Sequence, residues 1–299
     1  MRGLTNKFME DLKTGSLNCL LRAVQDDDTL CLEIRDNYVN IYYRGGNLCR
    51  IRSKAGGYTF EFDEKFARNN IQHKKIIEGK EDWSAEEWVS NIPHIKSIMN
   101  AYNLSSEREF QQLVLWENNR SKIANDTDYY IADIEHSFVI GKSTNRYIDM
   151  VAVKWPSTSS ERKKKNDLQL ALIEVKYGDK ALENLESHLK GWHELLATPN
   201  KWEELCQQIE QVFNQKIELG LIERISDSAK ISISREKKPE LILLVINHKP
   251  KKSKLKTELS AICQLHEYSE LKKRLRRDKN RYFFHDGLRL IHGVHGRIY

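Results

Sequence analysis

Residues 168–177 read LQLALIEVKY, and residues 146–155, which precede them in the chain, read RYIDMVAVKW. Both stretches are short and rich in aliphatic residues, and polar segments separate them, which is typical of buried β-strands. The runs at 129–141 and 241–247 have the same character. We therefore expect four strands in one mixed sheet that is flanked by helices, which is an α/β fold.

Three charged residues interrupt these apolar strands. Asp149 lies in the second expected strand, and Glu174 and Lys176 lie two residues apart in the third. Because side chains alternate along a strand, Glu174 and Lys176 point to the same face. If the second and third strands pair, Asp149 lies beside Glu174 at roughly 5 Å between Cβ atoms. Two carboxylates that lie so close can share one cation.

This arrangement of charges suits metal-assisted hydrolysis. Charged groups inside an apolar strand are costly unless they are paired or bound to a metal. Mg²⁺ and Mn²⁺ take one or two carboxylates and keep several waters, and a bound metal acidifies water and neutralises a scissile phosphate. Lys176 can orient that water or stabilise developing negative charge. The alternative is a salt bridge on an exposed edge strand, which the apolar character of both strands disfavours.

Helices are expected on either side of the three central strands. Ser106 and Glu109 have the spacing of a capping box, which predicts a helix from 106 to 122. Beyond Gly178, apolar residues at helical spacing predict two amphipathic helices before the fourth strand. The order is therefore one helix, three strands, two helices and a last strand.

Asp149 followed by Glu174-Val175-Lys176, in this order of elements, resembles the PD-(D/E)XK nuclease superfamily over residues 105–250. Ile148 stands where the family name has proline. The resemblance implies a restriction-endonuclease-like core in which Asp149 and Glu174 bind a catalytic Mg²⁺ or Mn²⁺ and Lys176 assists the nucleophile. It also implies an endonuclease or exonuclease that hydrolyses phosphodiester bonds, of DNA rather than RNA, with defence against foreign nucleic acid as an expected role.

The superfamily often adds a glutamate from the helix before the strands, and Glu107, Glu109 and Glu117 compete for this role. Glu109 is explained as the capping partner of Ser106. Glu107 opens a Glu-x-x-apolar-Gln run that resembles several nuclease branches, so we choose Glu107 as the third metal ligand. A favourable charge in the first turn of the helix is the alternative explanation.

Two histidines on the expected helix after the third strand, His188 and His193, can also approach the site. Histidines on helices are more often surface or packing residues, and this explanation is favoured for both.

Charge is unevenly distributed along the chain, whose net charge is +6. Lys and Arg outnumber Asp and Glu in residues 229–299, whereas acidic residues outnumber basic residues in 1–228. A basic region can attract a polyanion, although a solvated surface is the alternative. A second candidate is the loop run at 163–165. The predicted nucleic-acid contacts are Lys272, Lys273, Arg274, Arg276 and Arg277.

The N-terminal part has a different pattern. Residues 17–62 contain alternating apolar residues separated by turn signals, which predicts antiparallel strands. Ser84 and Glu87 form a capping box that predicts a helix within 64–104. We therefore predict a small antiparallel β domain at 1–65, a helical connector at 66–104 and, at 105–299, the nuclease-like domain with its basic C-terminal extension.

Neither a signal peptide nor a membrane span is expected, because no apolar run approaches about 18 residues. The five cysteines are widely spaced and lack a Cys-x-x-Cys pair. These features predict a cytoplasmic protein with reduced thiols and no membrane partner. The sequence leaves open a homo-oligomer and a regulatory protein partner.

Two other function classes compete with the nuclease. The first is a catalytically silent nucleic-acid-binding or assembly module that keeps the nuclease fold, because a fold does not determine function. The second is a small-molecule hydrolase or transferase. The chain has no Gly-x-Ser-x-Gly, phosphate-loop or Rossmann glycine signature to support it.

Overall fold

The computed structural model describes residues 2–68, 70–80, 83–102, 104–122, 124–139, 146–178 and 185–246, together with the backbone of Phe283–His285.

The first sheet is a four-stranded antiparallel meander, and Arg44 and Gly45 connect its second and third strands. Both residues adopt left-handed conformations, with φ of 48° and 72°, as a tight hairpin requires. The strands are β1 (Leu30–Ile34), β2 (Tyr38–Tyr43), β3 (Gly46–Lys54) and β4 (Gly57–Glu61).

Helices pack with this sheet in one apolar core. Val39 and Ile51 of the sheet share the core with Trp88 and Ile95. The helices of this part of the chain are α1 (Asn6–Lys13), α2 (Asn18–Asp26), α3 (Ile71–Ile76), α4 (Ala85–Asn100) and α5 (Ser106–Asn119).

The chain divides into two units. The first contains Met1–Ser121 and Gln211–Lys230, and the second contains Lys122–Glu210 and Ile231–Tyr299. This division differs from the expected boundaries at 65 and 104, because α4 supplies core residues to the first sheet instead of serving as a connector.

The prediction of strands from residue 17 onward is wrong for 17–26, which belong mostly to α2. Leu17, Leu20, Leu21 and Val24 are buried at the spacing of one helical face. The apolar residues of this segment are core residues, as expected, but their spacing is that of a helix and not that of a strand. The prediction of antiparallel strands is confirmed for the part of the segment from β1 to β4.

The second sheet is mixed and has the order β5-β6-β7-β8-β9. The first three strands run antiparallel to one another, whereas β7, β8 and β9 are parallel. The strands are β5 (Tyr129–Phe138), β6 (Arg146–Lys154), β7 (Gln169–Tyr177), β8 (Glu240–Ile246) and β9 (Phe283–His285), and the helices between them in sequence are α6 (Ser159–Arg162), α7 (Leu185–Ala197) and α8 (Pro199–Glu218).

The chain is therefore an α/β protein with one antiparallel and one mixed sheet, each accompanied by helices. The first four strands of the second sheet begin and end within three residues of the predicted bounds.

In the described ranges, no helix is both long enough and apolar enough to cross a lipid bilayer.

One of the two predicted capping boxes is confirmed. The Ser84 N–H donates to Glu87 Oε2 at 2.7 Å, and the Glu87 N–H donates to Ser84 Oγ at 3.2 Å. The box at Ser106 and Glu109 is wrong. Helix α5 is capped by Ser105 without a side-chain hydrogen bond, and Glu109 Oε1 accepts from Arg44 Nε at 2.7 Å. A partner distant in sequence has replaced the local one.

A buried ion pair lies in the first unit. Lys216 Nζ of α8 is 2.5 Å from Glu33 Oε1 of β1, and both side chains are almost fully excluded from solvent. Removal of one partner from a buried pair typically costs about 3–5 kcal/mol, and Arg35 lies beside Glu33 only at the longer distance of 3.7 Å.

We expect Lys216→Met to lower the free energy of unfolding by about 3–5 kcal/mol, measured by urea denaturation with circular dichroism. Lys13→Met is the matched control, because Lys13 pairs with Glu218 at 3.1 Å where both side chains are partly exposed. Its expected loss is about 0–1 kcal/mol. Equal losses in the two variants would contradict the structural role of the buried pair.

Candidate active site

The predicted site lies where the pairing between β6 and β7 stops. The last paired residues are Met150 and Ile173, and one step further along each strand Asp149 faces Glu174. The adjacency inferred from strand alternation is therefore present in the structure. The second strand pair of the sheet thus carries both carboxylates at its open end.

The carboxylate of Asp149 links the two strands beyond the last backbone pair. Its Oδ2 accepts a hydrogen bond from the Val175 N–H at 2.7 Å. A side chain here takes the place of a backbone carbonyl, so the Val175 N–H remains satisfied although the ladder has ended. This bond fixes one carboxylate oxygen of Asp149.

Glu174 is the most enclosed group of the site, with an exposed fraction of 0%. Its Oε1 lies 2.5 Å from Lys176 Nζ and 2.7 Å from His188 Nδ1. Its Oε2 is also buried and has no hydrogen-bond partner among the described residues. A buried carboxylate oxygen without a partner is costly, so this atom marks a position that a bound cation or donor can occupy.

His188 joins the site from helix α7, one turn after the buried Leu185. The hydrogen bond with Glu174 raises the pKa of His188, whereas burial acts in the opposite direction. Its side chain is 32% exposed and so reaches from the buried carboxylate to solvent. The sequence contains one indication that His188 approaches the sheet. Leu185, Leu189 and Trp192 form the buried face of α7, and residue 188 borders that face.

The two carboxylates interact strongly with each other. Burial, followed by the charge of Glu174, raises the pKa of Asp149 to about 7, against the opposing effects of the Val175 N–H and Lys176. The site therefore disfavours two negative charges at neutral pH. A cation between the carboxylates would remove this repulsion, which is the electrostatic signature of a candidate metal position.

Glu135 of β5 is a third acidic residue that the sequence analysis missed. Its charge also raises the pKa of Asp149, and the register of Ile134 with Met150 places it across from Asp149. Glu135 has a φ of 50°, a conformation that is strained for a residue with a side chain and recurs at functional sites.

Two further ionisable residues of β5 lie close to Glu135 in sequence and contact each other: His136 Nδ1 is 2.7 Å from Asp133 Oδ2. Both of these side chains are buried. The sequence signal for this part of the site was three ionisable residues within an otherwise apolar strand.

The donor set is compatible with a hard divalent cation, although it is small. Within the ranges that the structure describes, no group of three or more His, Cys, Asp and Glu side chains surrounds a common metal position. Mg²⁺ is often held by one or two carboxylates with water completing the shell. Asp149 and Glu174, with the unpartnered Glu174 Oε2, meet this smaller requirement.

The other predicted residues lie away from this pair of strands in sequence or outside the described residues. Glu107 lies in the first turn of α5, in the first unit. His193 lies on α7, and the run at 163–165 is exposed between β6 and β7. The following predicted contacts are all outside the described residues: Lys272, Lys273, Arg274, Arg276 and Arg277.

Comparisons of the sequence with protein-family models, with curated proteins and with solved structures find no match in any of the three.

The raised pKa of Asp149 predicts a stability effect with a definite sign. Because the ordinary value is 3.8 and the folded value is about 7, the contribution of this group is complete at low pH. It is lost as the pH rises through about 7. We expect Asp149→Asn to remove this fall in the free energy of unfolding, measured by urea denaturation at pH 4 to 8.

His188 also contributes to the pH dependence because its pKa is raised, so the comparison is between the parent and Asp149→Asn at each pH. Glu174→Gln provides a second test, because loss of the neighbouring charge lowers the pKa of Asp149. Carboxyl carbon NMR measures this pKa. An unaltered titration of Asp149 in Glu174→Gln would contradict the coupling of the two groups.

Proposed function

We propose that the chain is a metal-dependent nuclease of the PD-(D/E)XK type, whose second unit has a restriction-endonuclease-like core. The observation that carries the proposal is the buried Glu174 Oε2, which has no hydrogen-bond partner among the described residues and belongs to a carboxylate that faces Asp149. Lys176 completes the set of residue types that phosphodiester hydrolysis requires.

Asp149 and Glu174 are the residues that would hold Mg²⁺ or Mn²⁺ in this proposal. When bound, the metal supplies an acidified water and neutralises charge on the phosphate. One carboxylate oxygen of Asp149 is held by the Val175 N–H. The direction of its other oxygen is therefore defined. Glu174 has its Oε1 held by the side chains of Lys176 and His188.

Lys176 is the group that acts on the reacting atoms. Its ammonium lies on the same strand face as Glu174 and is nearly excluded from solvent. A charge in such an environment stabilises negative charge that develops on a phosphoryl oxygen more effectively than it would in water. It can also orient the attacking water through a hydrogen bond.

His188 acts through Glu174 as a positioning residue. Its ring holds Oε1 from the solvent side while Lys176 holds the same oxygen from within the sheet. This arrangement leaves Oε2 for the metal. A ligand orientation fixed by outer contacts is a common requirement of metal sites.

The proposed substrate is DNA rather than RNA, on the strength of the sequence resemblance, with a role in defence and a cytoplasmic location. The basic run that includes Lys272 and Arg277 is proposed to contact phosphates. The alternative is a nucleic-acid-binding module without catalysis. It would bind DNA but leave it intact under every metal condition.

We expect purified protein to cleave plasmid or linear DNA with Mg²⁺ or Mn²⁺ and not with EDTA. Lys176→Met and Glu174→Gln should each lower turnover by about 10²–10³, the scale of a lost group that stabilises transition-state charge. Single-turnover cleavage followed on gels provides the rate.

Lys154→Met and Glu240→Gln are the matched controls, because these residues form an ion pair in the same sheet. Both should retain cleavage. Parental rates in Lys176→Met and Glu174→Gln, with circular dichroism unchanged, would refute the assignment of the site. Binding without cleavage in the parent would instead support the silent module.

A third carboxylate can come from Glu107, as the resemblance implies, or from Glu135, whose charge acts on Asp149. We expect Glu135→Gln to weaken Mg²⁺ affinity roughly 10–100-fold, measured as the metal concentration that gives half-maximal cleavage. Glu107→Gln is the direct comparison. If only Glu107→Gln raised the metal concentration for half-maximal cleavage, the third carboxylate would be Glu107 of α5 and not Glu135.

A further inference from the structure

One face of the first sheet is polar. Across its four strands, the register aligns Glu33, Asn40, Arg50 and Glu61 in one row. The neighbouring row of Ile34, Val39, Ile51 and Phe60 belongs to the apolar side of the sheet. Three of these polar residues, Asn40, Arg50 and Glu61, line a cavity.

The cavity has a volume of about 560 Å³ and is lined entirely by residues of the first unit. Its floor includes Asn40, Asn47 and Arg50 of the polar face. Phe66 and Tyr102 belong to its wall. Pockets of roughly 300–1,000 Å³ are the usual size for small organic ligands.

The floor carries an ordered array of amides. Asn40 Oδ1 accepts from Asn47 Nδ2 at 3.4 Å and from Arg50 Nε at 3.3 Å. Asn40 Nδ2 donates to the Tyr42 hydroxyl at 2.9 Å. The acceptor of Asn40 is thus used twice, and the amide of Asn47 is oriented with its nitrogen toward Asn40.

Asn47 belongs to the lining of the cavity, and this orientation leaves its Oδ1 as an unused acceptor. The atom is buried and has no hydrogen-bond partner in the described part of the chain. A buried acceptor without a partner typically costs about 1–3 kcal/mol. The arrangement is explained if a ligand supplies an N–H donor at this position.

The wall offers flat apolar surfaces. The rings of Phe66 and Tyr102 meet edge to face, with centroids 5.1 Å apart and planes at 89°. Phe66 is buried, whereas Tyr102 is 39% exposed. An exposed ring that a buried ring braces from the side is suited to stack on a planar ligand.

The charges at the cavity favour an anionic group on the ligand. Arg50, Lys65 and Arg108 line it against Glu61 and Asp63. The two acids already have ion-pair partners, since Glu61 lies 3.5 Å from Arg50 and Asp63 lies 2.6 Å from Lys65. The lining therefore carries one more cationic than acidic side chain, which gives it a formal charge of +1.

We propose that this cavity binds a nucleotide, with the base against Tyr102 and an exocyclic amino group donating to Asn47 Oδ1. The phosphate is placed among the cationic side chains. The combination of a stacking ring, an amide acceptor and cations is the chemistry that nucleotide recognition uses. The inference does not depend on the proposed nuclease activity, because every residue used belongs to the first unit.

The nucleotide has two sources, a free mononucleotide and a nucleotide within a single strand. Isothermal titration calorimetry of the full chain in EDTA tests both, with AMP, CMP, GMP and UMP in one arm and a short single-stranded oligonucleotide in the other. Adenosine and inorganic phosphate separate the contributions of base and phosphate. Lys176→Met is titrated in parallel to exclude binding at the candidate active site.

We expect one-to-one binding of at least one mononucleotide whose base carries an amino group, and weaker binding of UMP. If only the oligonucleotide binds, or if it binds much more tightly than the mononucleotides, the cavity is assigned to a nucleotide within a single strand. Tyr102→Leu should weaken binding about tenfold through lost stacking, and Tyr102→Phe should restore it. Asn47→Leu should weaken the amino-bearing ligands and spare UMP.

Asn91→Ala is the control, because Asn91 bonds only to Glu87 O of its own helix among the described contacts. Four results would overturn the proposal. The first three are no binding of any mononucleotide or oligonucleotide, equal binding of inorganic phosphate and nucleotide, and unchanged binding in both Tyr102→Leu and Asn47→Leu. The fourth is loss of binding in Lys176→Met, since it would place the ligand in the second unit.

Discussion

The enclosed carboxylate of Glu174 is the constraint on which the candidate site depends. A charge without solvent must be compensated within the protein, and here Lys176 and His188 meet on one of its oxygens. Since both partners contact Oε1, the second oxygen stays without a hydrogen bond from the described residues. A buried carboxylate oxygen without a hydrogen bond is unfavourable, and groups of this kind are found at functional sites.

The buried pair of Glu33 and Lys216 has a different set of neighbours. It also joins a strand to a helix and is enclosed on both sides, and the buried Arg35 lies 3.7 Å from the same carboxylate. The Glu174 site adds Asp149, whose pKa is raised to about 7, and Glu135 in a strained backbone conformation. Crowded acids and a strained residue reduce stability, so their presence together favours a role in binding or chemistry.

The sequence predicted the strands of the second sheet well, because buried strands are nearly continuous apolar runs with few alternatives. It also predicted that Asp149 meets Glu174, since alternation and antiparallel pairing fix which residues can be neighbours. The local signals were less reliable. Leu17 to Val24 were assigned to a strand although their spacing is helical, and Glu109 was assigned to a cap although Arg44 holds it. Short windows of sequence do not contain the distant partner that decides such cases.

The sequence by itself determined which residues lie inside the second sheet and that one acidic and one basic residue share a face of β7, because strand period and hydrophobicity are local properties. Only the tertiary structure decided that β6 and β7 separate at Asp149, that His188 reaches Glu174, and that Asn40 and Arg50 of the polar row line a cavity. These features depend on contacts between residues far apart in the chain. Their energies come from burial and from opposed charges, which exist only after the elements have packed.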